Sequence, residues 1–159
     1  MVKNCEVCPF LESDDPLELA ARITENAHWV STLRYDNQTL LGTSVITARR
    51  HVEALHQLTD EEEASFVVIR NNLMRAQEAA FGAEVINVMC LLNNAFQARN
   101  PSPHVHHHLK PRYRTPVTFR GVTYSDPNFG FPIATREKVF TEIEPTRQIV
   151  AALKANLPR

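Results

Sequence analysis

The sequence predicts an α+β fold built on an antiparallel sheet. Three observations carry that expectation. The patterned segments run strand, strand, long helix, strand, strand, an order that favours antiparallel pairing. The long helix is signalled at both ends, by Thr59 with Glu62 at its start and by Gly82 just past its end. Residues His104 to Lys110 alternate on a period of two, as a strand does. The chain has 159 residues, one ordinary domain's worth, and residues 1–159 are read as one domain. A chain of this size buries roughly 68–70% of its unfolded surface, enough for a core without disulfide staples.

Composition narrows the function classes. Hydrophobic residues make up 43% and charged residues 22%, close to a globular average, which argues against disorder or a coiled coil. The formal net charge of −1 provides no global basic field for nucleic acid or a membrane surface, so neither is expected as a partner. No apolar run approaches the ~18 residues a membrane span requires. Met1 to Phe10 carries Asn4 and Glu6 and lacks the apolar stretch of a secretory signal. Three cysteines, an odd number, fit a reducing compartment, so the expected location is the cytoplasm.

In chain order, Cys5 to Pro16 reads as a loop. Trp29 to Tyr35 is rich in β-formers, Asp36-Asn37-Gln38 is a turn, and Leu40 to Thr47 returns as a second strand. The helix after Thr59 opens with Asp60, Glu61, Glu62 and Glu63, which complement the positive end of its macrodipole. Phe66, Ile69, Leu73, Ala76 and Ala80 form its apolar stripe, read as core packing. Val85 to Leu92 is a short apolar run suited to a buried strand, and Cys90 within it reads as a small core residue. Asn93 to Pro103 is a polar loop, Val117 to Tyr124 a hairpin or edge segment around Gly121, Asp126-Pro127-Asn128 a turn, and Gln148 to Leu157 a short amphipathic helix. His28 and His56 read as surface or capping residues.

Four of the seven histidines fall between His104 and His108. On a strand, His104, His106 and His108 share a face while His107 points the other way. Imidazole acts near neutral pH as nucleophile, proton carrier or metal ligand. The row therefore reads as a three-histidine metal site or as a nucleophile with supporting histidines, against a plain solvated strand. No Asp or Glu occurs between Glu84 and Asp126, where composition alone would place about four or five, and the stretch holds Arg99, Lys110, Arg112, Arg114 and Arg120. Such a segment suits an anionic substrate, phosphate above all.

His104-Val105-His106-His107-His108-Leu109 resembles the His-φ-His-φ-His-φ-φ signature of the histidine triad (HIT) superfamily. The block from Gly42 to Leu55, with Arg49-Arg50-His51, resembles the strand and basic turn that precede it in that family. Leu58 to Glu62 is similar to its helix start, and Asn93, eleven residues before His104, to its loop asparagine. Cys5-Glu6-Val7-Cys8 resembles the N-terminal Cys-x-x-Cys of many bacterial members. The resemblance covers about residues 4–114 and leaves 115–159 as an extension.

The resemblance implies a five-stranded antiparallel sheet with one long and one or two short helices, usually in a homodimer. It implies hydrolysis or nucleotidyl transfer at the α-phosphate of a dinucleoside polyphosphate or related nucleotide conjugate. By position, His106 would be the nucleophile that forms a nucleotidyl-histidine, and His108 would bind phosphate oxygens. Asn93 would help hold the phosphate, with Arg112 and Arg114 as candidate cations. Zinc-bearing relatives imply Cys5, Cys8, His51 and His104 as a closed Cys₂His₂ set for a structural zinc; unliganded thiols are the other reading. A metal held by the triad itself and a non-catalytic nucleotide-binding module remain as rival functions.

The sequence departs from the family pattern at four places. Thr43 stands where many members have a further histidine. The loop Asn93 to Pro103 has no glycine. His107 and Lys110 occupy positions that are usually apolar. In the extension, Phe119, Tyr124, Phe129, Phe131 and Phe140 read first as packing residues, with a base-binding wall or dimer cover as the alternative.

Overall fold

The structure is a computed structural model that describes residues 4–133 and 138–158. Five strands form one antiparallel sheet: β1 (Arg22–Glu25), β2 (Trp29–Leu33), β3 (Ser44–Ala48), β4 (Val85–Met89) and β5 (His106–Arg112). Their spatial order is β1-β2-β3-β5-β4, so the histidine strand lies between β3 and β4. A separate hairpin pairs β6 (Val117–Phe119) with β7 (Val122–Tyr124) around Gly121. The helices are α1 (Cys8–Leu11), α2 (Pro16–Ala20), α3 (Asp60–Phe81) and α4 (Ile143–Ala155).

The long helix α3 forms where its end signals place it. The Thr59 hydroxyl accepts from the Glu62 amide and the Glu62 carboxylate accepts from the Thr59 amide, a complete capping box. Gly82 ends the helix at φ 71°, a left-handed conformation with no penalty for glycine. The inward stripe of Ile69, Leu73 and Ala76 packs on Trp29, Leu33, Ile46, Ala48 and Leu109, which share one sheet face. Ile149, Val150 and Leu153 of α4 join the same core. The Trp29 indole, fully buried, donates to the Glu62 carbonyl at 2.8 Å, locking helix to sheet.

The opposite sheet face positions the site. Thr47 pairs with His106 and Val45 with His108, while His108 pairs with Met89 and Lys110 with Asn87. Alternation therefore sets His106, His108 and Lys110 beside Val45 and Thr47, on the face away from α3. His107 points toward the helix and stacks on Phe66 at 4.0 Å between ring centroids.

Three expectations are corrected. Cys5 to Pro16 is not all loop: α1 starts at Cys8, and Asp15 caps α2 by accepting from the Leu17 and Glu18 amides. The four-residue β1 was not anticipated, because so short a segment shows no clear period. The last helix begins at Ile143, five residues before Gln148.

Candidate active site and metal centre

Two clusters adjoin at the start of β5. The first brings together Cys5, Cys8, His51 and His104, whose ligand atoms all lie within 4.8 Å of one another. The Val105 amide donates to the Val52 carbonyl and the Ala48 amide to the Val105 carbonyl, so the ends of β3 and β5 hold His51 and His104 side by side. Cys5 Sγ is 3.4 Å from His104 Nδ1, and Cys8 Sγ is 3.5 Å from both His51 Nδ1 and His104 Nδ1. Zinc bonds of about 2.3 Å to sulfur and 2.0–2.1 Å to nitrogen, set tetrahedrally, separate sulfur and nitrogen by about 3.6 Å. The cluster already has that spacing. His104 Nε2–H donates to the Ala48 carbonyl at 2.7 Å, which leaves the Nδ1 lone pair facing the thiols. Burial holds His104 below its ordinary pKa and so keeps it neutral, as a ligand must be. His51 Nε2 has no hydrogen-bond partner, with the Glu53 carboxylate 3.5 Å away as its nearest acid. The residues present fit a structural zinc.

The second cluster carries His106 and His108. His106 Nδ1 lies 2.7 Å from the His104 carbonyl, which can only accept, so Nδ1 bears the proton and Nε2 presents a lone pair. Burial lowers the His106 pKa, with the Arg34 charge adding to it. The His108 ring meets His106 edge-on at 5.0 Å. His108 Nδ1 is 3.5 Å from Arg34 Nη1, and a guanidinium only donates, so His108 keeps its proton on Nε2. Burial first, then His106, Arg34 and Lys110, push the His108 pKa down to about 3. The two rings thus carry opposite Nε2 roles, an acceptor on His106 and a donor on His108. His107 is excluded from this work by its stacking under α3, and burial depresses it to about 4.

The remaining sequence candidates separate. Asn93 opens a one-turn 3₁₀ segment, Asn93–Gln97, and is exposed. Arg112 is buried, with its guanidinium donating to the Asp126 carboxylate, the Asn87 side chain and the Asn128 and Phe131 carbonyls. Every face of that group is engaged, and it lies six residues, roughly 20 Å, along the strand from His106. It ties the chain together, with its donors taken up by these partners. Arg114 is exposed, pairs with Glu84 at 3.1 Å and stacks over Phe129. It lies farther still along the chain. Cys90 is half-buried rather than fully in the core.

Arg34 and Asp36 were missed by sequence reasoning. Asp36 grips Arg34 through Nε at 2.6 Å and Nη2 at 2.5 Å, leaving Nη1 to reach His108. The signal available was parity: Arg34 continues the Val30, Thr32 face of β2, the same face as the histidines. Thr43 is buried and its hydroxyl donates to the Leu40 carbonyl at 2.7 Å.

A family model described as HIT domain matches residues 19–115. The chain is 28% identical over 111 residues to Protein hit of Bacillus subtilis (strain 168), covering 70% of this chain and 72% of that one. A zinc-bound histidine triad family protein from Mycobacterium smegmatis superposes with a TM-score of 0.59 at 21% identity, covering 95% of this chain and 94% of that one. Plasmodium falciparum diadenosine triphosphate hydrolase superposes with a TM-score of 0.58 at 14% identity, covering 86% and 75%. At these identities the two structures establish a shared fold.

Proposed function

The chain belongs to the HIT domain family, and on that premise we propose that it is a nucleotide hydrolase or nucleotidyl transferase acting at an α-phosphate through His106. The observation that carries the reading is the 2.7 Å hydrogen bond from His106 Nδ1–H to the His104 carbonyl, which aims the Nε2 lone pair outward. In the first step Nε2 attacks α-phosphorus, a P–Nε2 bond forms, and the bond from phosphorus to the bridging atom breaks with its electron pair. The proton stays on Nδ1, hydrogen-bonded to the His104 carbonyl, which helps to carry the positive charge on the ring. In the second step water adds its oxygen to phosphorus, the P–N bond breaks, and the pair returns to Nε2. The water proton leaves to solvent, and an amine leaving group of the first step takes its proton from solvent. His108 Nε2–H donates to a phosphoryl oxygen as charge develops there, and the exposed Asn93 is a further candidate for holding the phosphate. The similarity to a diadenosine triphosphate hydrolase supports a dinucleoside polyphosphate or related nucleotide as substrate.

Cys5, Cys8, His51 and His104 would hold zinc as a structural crosslink, with four protein ligands taking part. Zinc bound there would pin the N-terminal segment against the strand that carries His106. The same reading takes residues 1–159 as one domain, working as a homodimer in the cytoplasm, with a nucleotide as partner rather than nucleic acid or membrane. Among the described residues no helix is long and apolar enough to cross a membrane.

The test is turnover of diadenosine polyphosphates and adenosine phosphoramidate by wild type and His106→Ala, read by nucleotide chromatography. A loss of at least about 10³-fold in kcat, with the melting temperature kept, is the expected result. Retained turnover in the variant would sink the mechanism, and nucleotide binding without turnover in wild type would favour a binding module.

A further inference from the structure

Beside His108 lies a group of cations that the two-step chemistry does not use. Lys110 follows His108 on the same face of β5, with its ammonium half-buried. Among the described residues it has no ion-pair or hydrogen-bond partner; what it meets are the Arg34 and Arg112 charges. Burial and those two cations lower its pKa, the response of an ammonium that lacks a counter-ion. Arg34 reaches the same place from β2. Its amide donates to the Thr43 carbonyl at 2.9 Å, and Ser44 pairs with Leu109, so Thr43 is the residue that separates Arg34 from Lys110 across the sheet. Because Thr43 is small and turned to Leu40, the guanidinium passes over it to His108.

The charges do not cancel locally. Asp36 faces both Arg34 and Lys138, the latter at 3.8 Å, while Arg112 on the far side of Lys110 is matched by Asp126. With that matched pair set aside and Lys110 included, three cations stand against one anion. Holding the half-buried Arg34 and Lys110 close together is unfavourable without an anion to share, so the arrangement is that of an anion site. Its length is informative too. Same-face side chains on a strand repeat at about 6.6 Å, so His106 to Lys110 spans about 13 Å. That is more than one phosphate covers and suits a chain of phosphates laid along β5.

We propose that Arg34 and Lys110 form a cationic subsite beside His108 for the phosphates of the leaving group, making a polyphosphate the preferred substrate over a conjugate whose leaving group is an amine. The proposal rests on the reading that His106 attacks an α-phosphate. In the step it serves, the α-phosphorus-to-bridging-oxygen bond breaks and the electron pair departs on the terminal phosphate of the leaving nucleotide. Arg34 and Lys110 neutralise that added negative charge. An amine leaving group carries no such charge and gains nothing from them.

The experiment compares wild type, Lys110→Met, Lys110→Arg and Arg34→Met on diadenosine tetraphosphate and adenosine 5′-phosphoramidate, with melting curves for each variant. For the two methionine variants the expected fall in kcat/KM is at least about tenfold greater for the tetraphosphate than for the phosphoramidate, and Lys110→Arg restores most of it. Equal losses on both substrates overturn the proposal, since the residues then act at the attacked phosphate or on the fold. Calorimetric titration of inorganic tripolyphosphate into wild type and Lys110→Met keeps the two ideas separable. Weaker tripolyphosphate binding in Lys110→Met supports the subsite even if His106→Ala retains turnover, whereas unchanged binding overturns it whatever His106 does.

Discussion

The two ends of β5 are each tied to a distant part of the chain, by unlike chemistry. At its start, His104 joins Cys5, Cys8 and His51 in a cluster spaced for a metal, holding the N-terminal segment. At its end, Arg112 holds Asp126 and the backbone of Asn128 and Phe131, fixing the segment after the β6–β7 hairpin. The first tie is a ligand set that would gain its crosslink from a bound metal ion. The second needs nothing from solution: it is a buried ion pair with its hydrogen-bonding positions filled. Between them lie His106, His108 and Lys110, which must stay in register with β3 and β4. The difference shows how a strand can be kept rigid without using the side chains proposed to work on substrate.

The largest expected effect comes from breaking the ionic tie. Arg112→Ala leaves Asp126 buried with an uncompensated charge, a defect that costs about 3–5 kcal/mol. Thermal unfolding should fall by roughly 10 °C or more for a chain of this size. Replacing both partners, Arg112→Met with Asp126→Leu, should recover much of that loss, because no charge is left stranded. If the single variant melts like wild type, the ionic end is not a clamp.

Removing the metal tests the other end. With free zinc about a hundredfold above its Kd, binding adds about 2.7 kcal/mol, so a chelator should lower the melting temperature by about 5–10 °C. Cys5→Ser should abolish the chelator's effect and reduce metal content measured by atomic emission. His104 and Arg112 are roughly 26 Å apart along the strand, so losses from Cys5→Ser and Arg112→Ala should add within about 0.5 kcal/mol. A clear departure from additivity would mean that the two ties communicate through β5.

Sequence reasoning saw one end better than the other, for physical reasons. Helix α3 was legible because its cap, stripe and terminating glycine are local and agree with one another. The histidine strand was legible from its period, and the family resemblance supplied the partners of Cys5 and Cys8, which lie 43 to 99 positions away. Arg112 looked like a phosphate ligand because a basic residue in an acid-free stretch has no visible partner. Its partner Asp126 is the first acid after that stretch, reached only when the chain folds back. Arg34 and His108 meet across 74 positions with a strand between them, a contact that no local pattern encodes. Asp15-Pro16 was a readable helix start for α2, overlooked because five residues carry too little periodicity.

The smallest effect concerns a strut behind the metal end. Arg50, next to His51, makes two hydrogen bonds to Glu62 at 2.8 and 2.7 Å, and Glu62 also completes the cap of α3. The Arg50 hydrogen bonds hold the Glu62 carboxyl down from 4.5 to about 2. A carboxyl depressed on folding stabilises the folded state above its unfolded pKa, and that contribution fades as pH falls toward the folded value. Wild-type stability should therefore decline between about pH 4.5 and pH 2, and Glu62→Gln should be less stable at neutral pH yet flatter across that window. Denaturant melts at a series of pH values, run on both proteins with the metal already removed, isolate this strut from the loss of metal in acid. Parallel curves for the two proteins would show that Glu62 acts on α3 through its cap alone and lends nothing to the turn that carries His51.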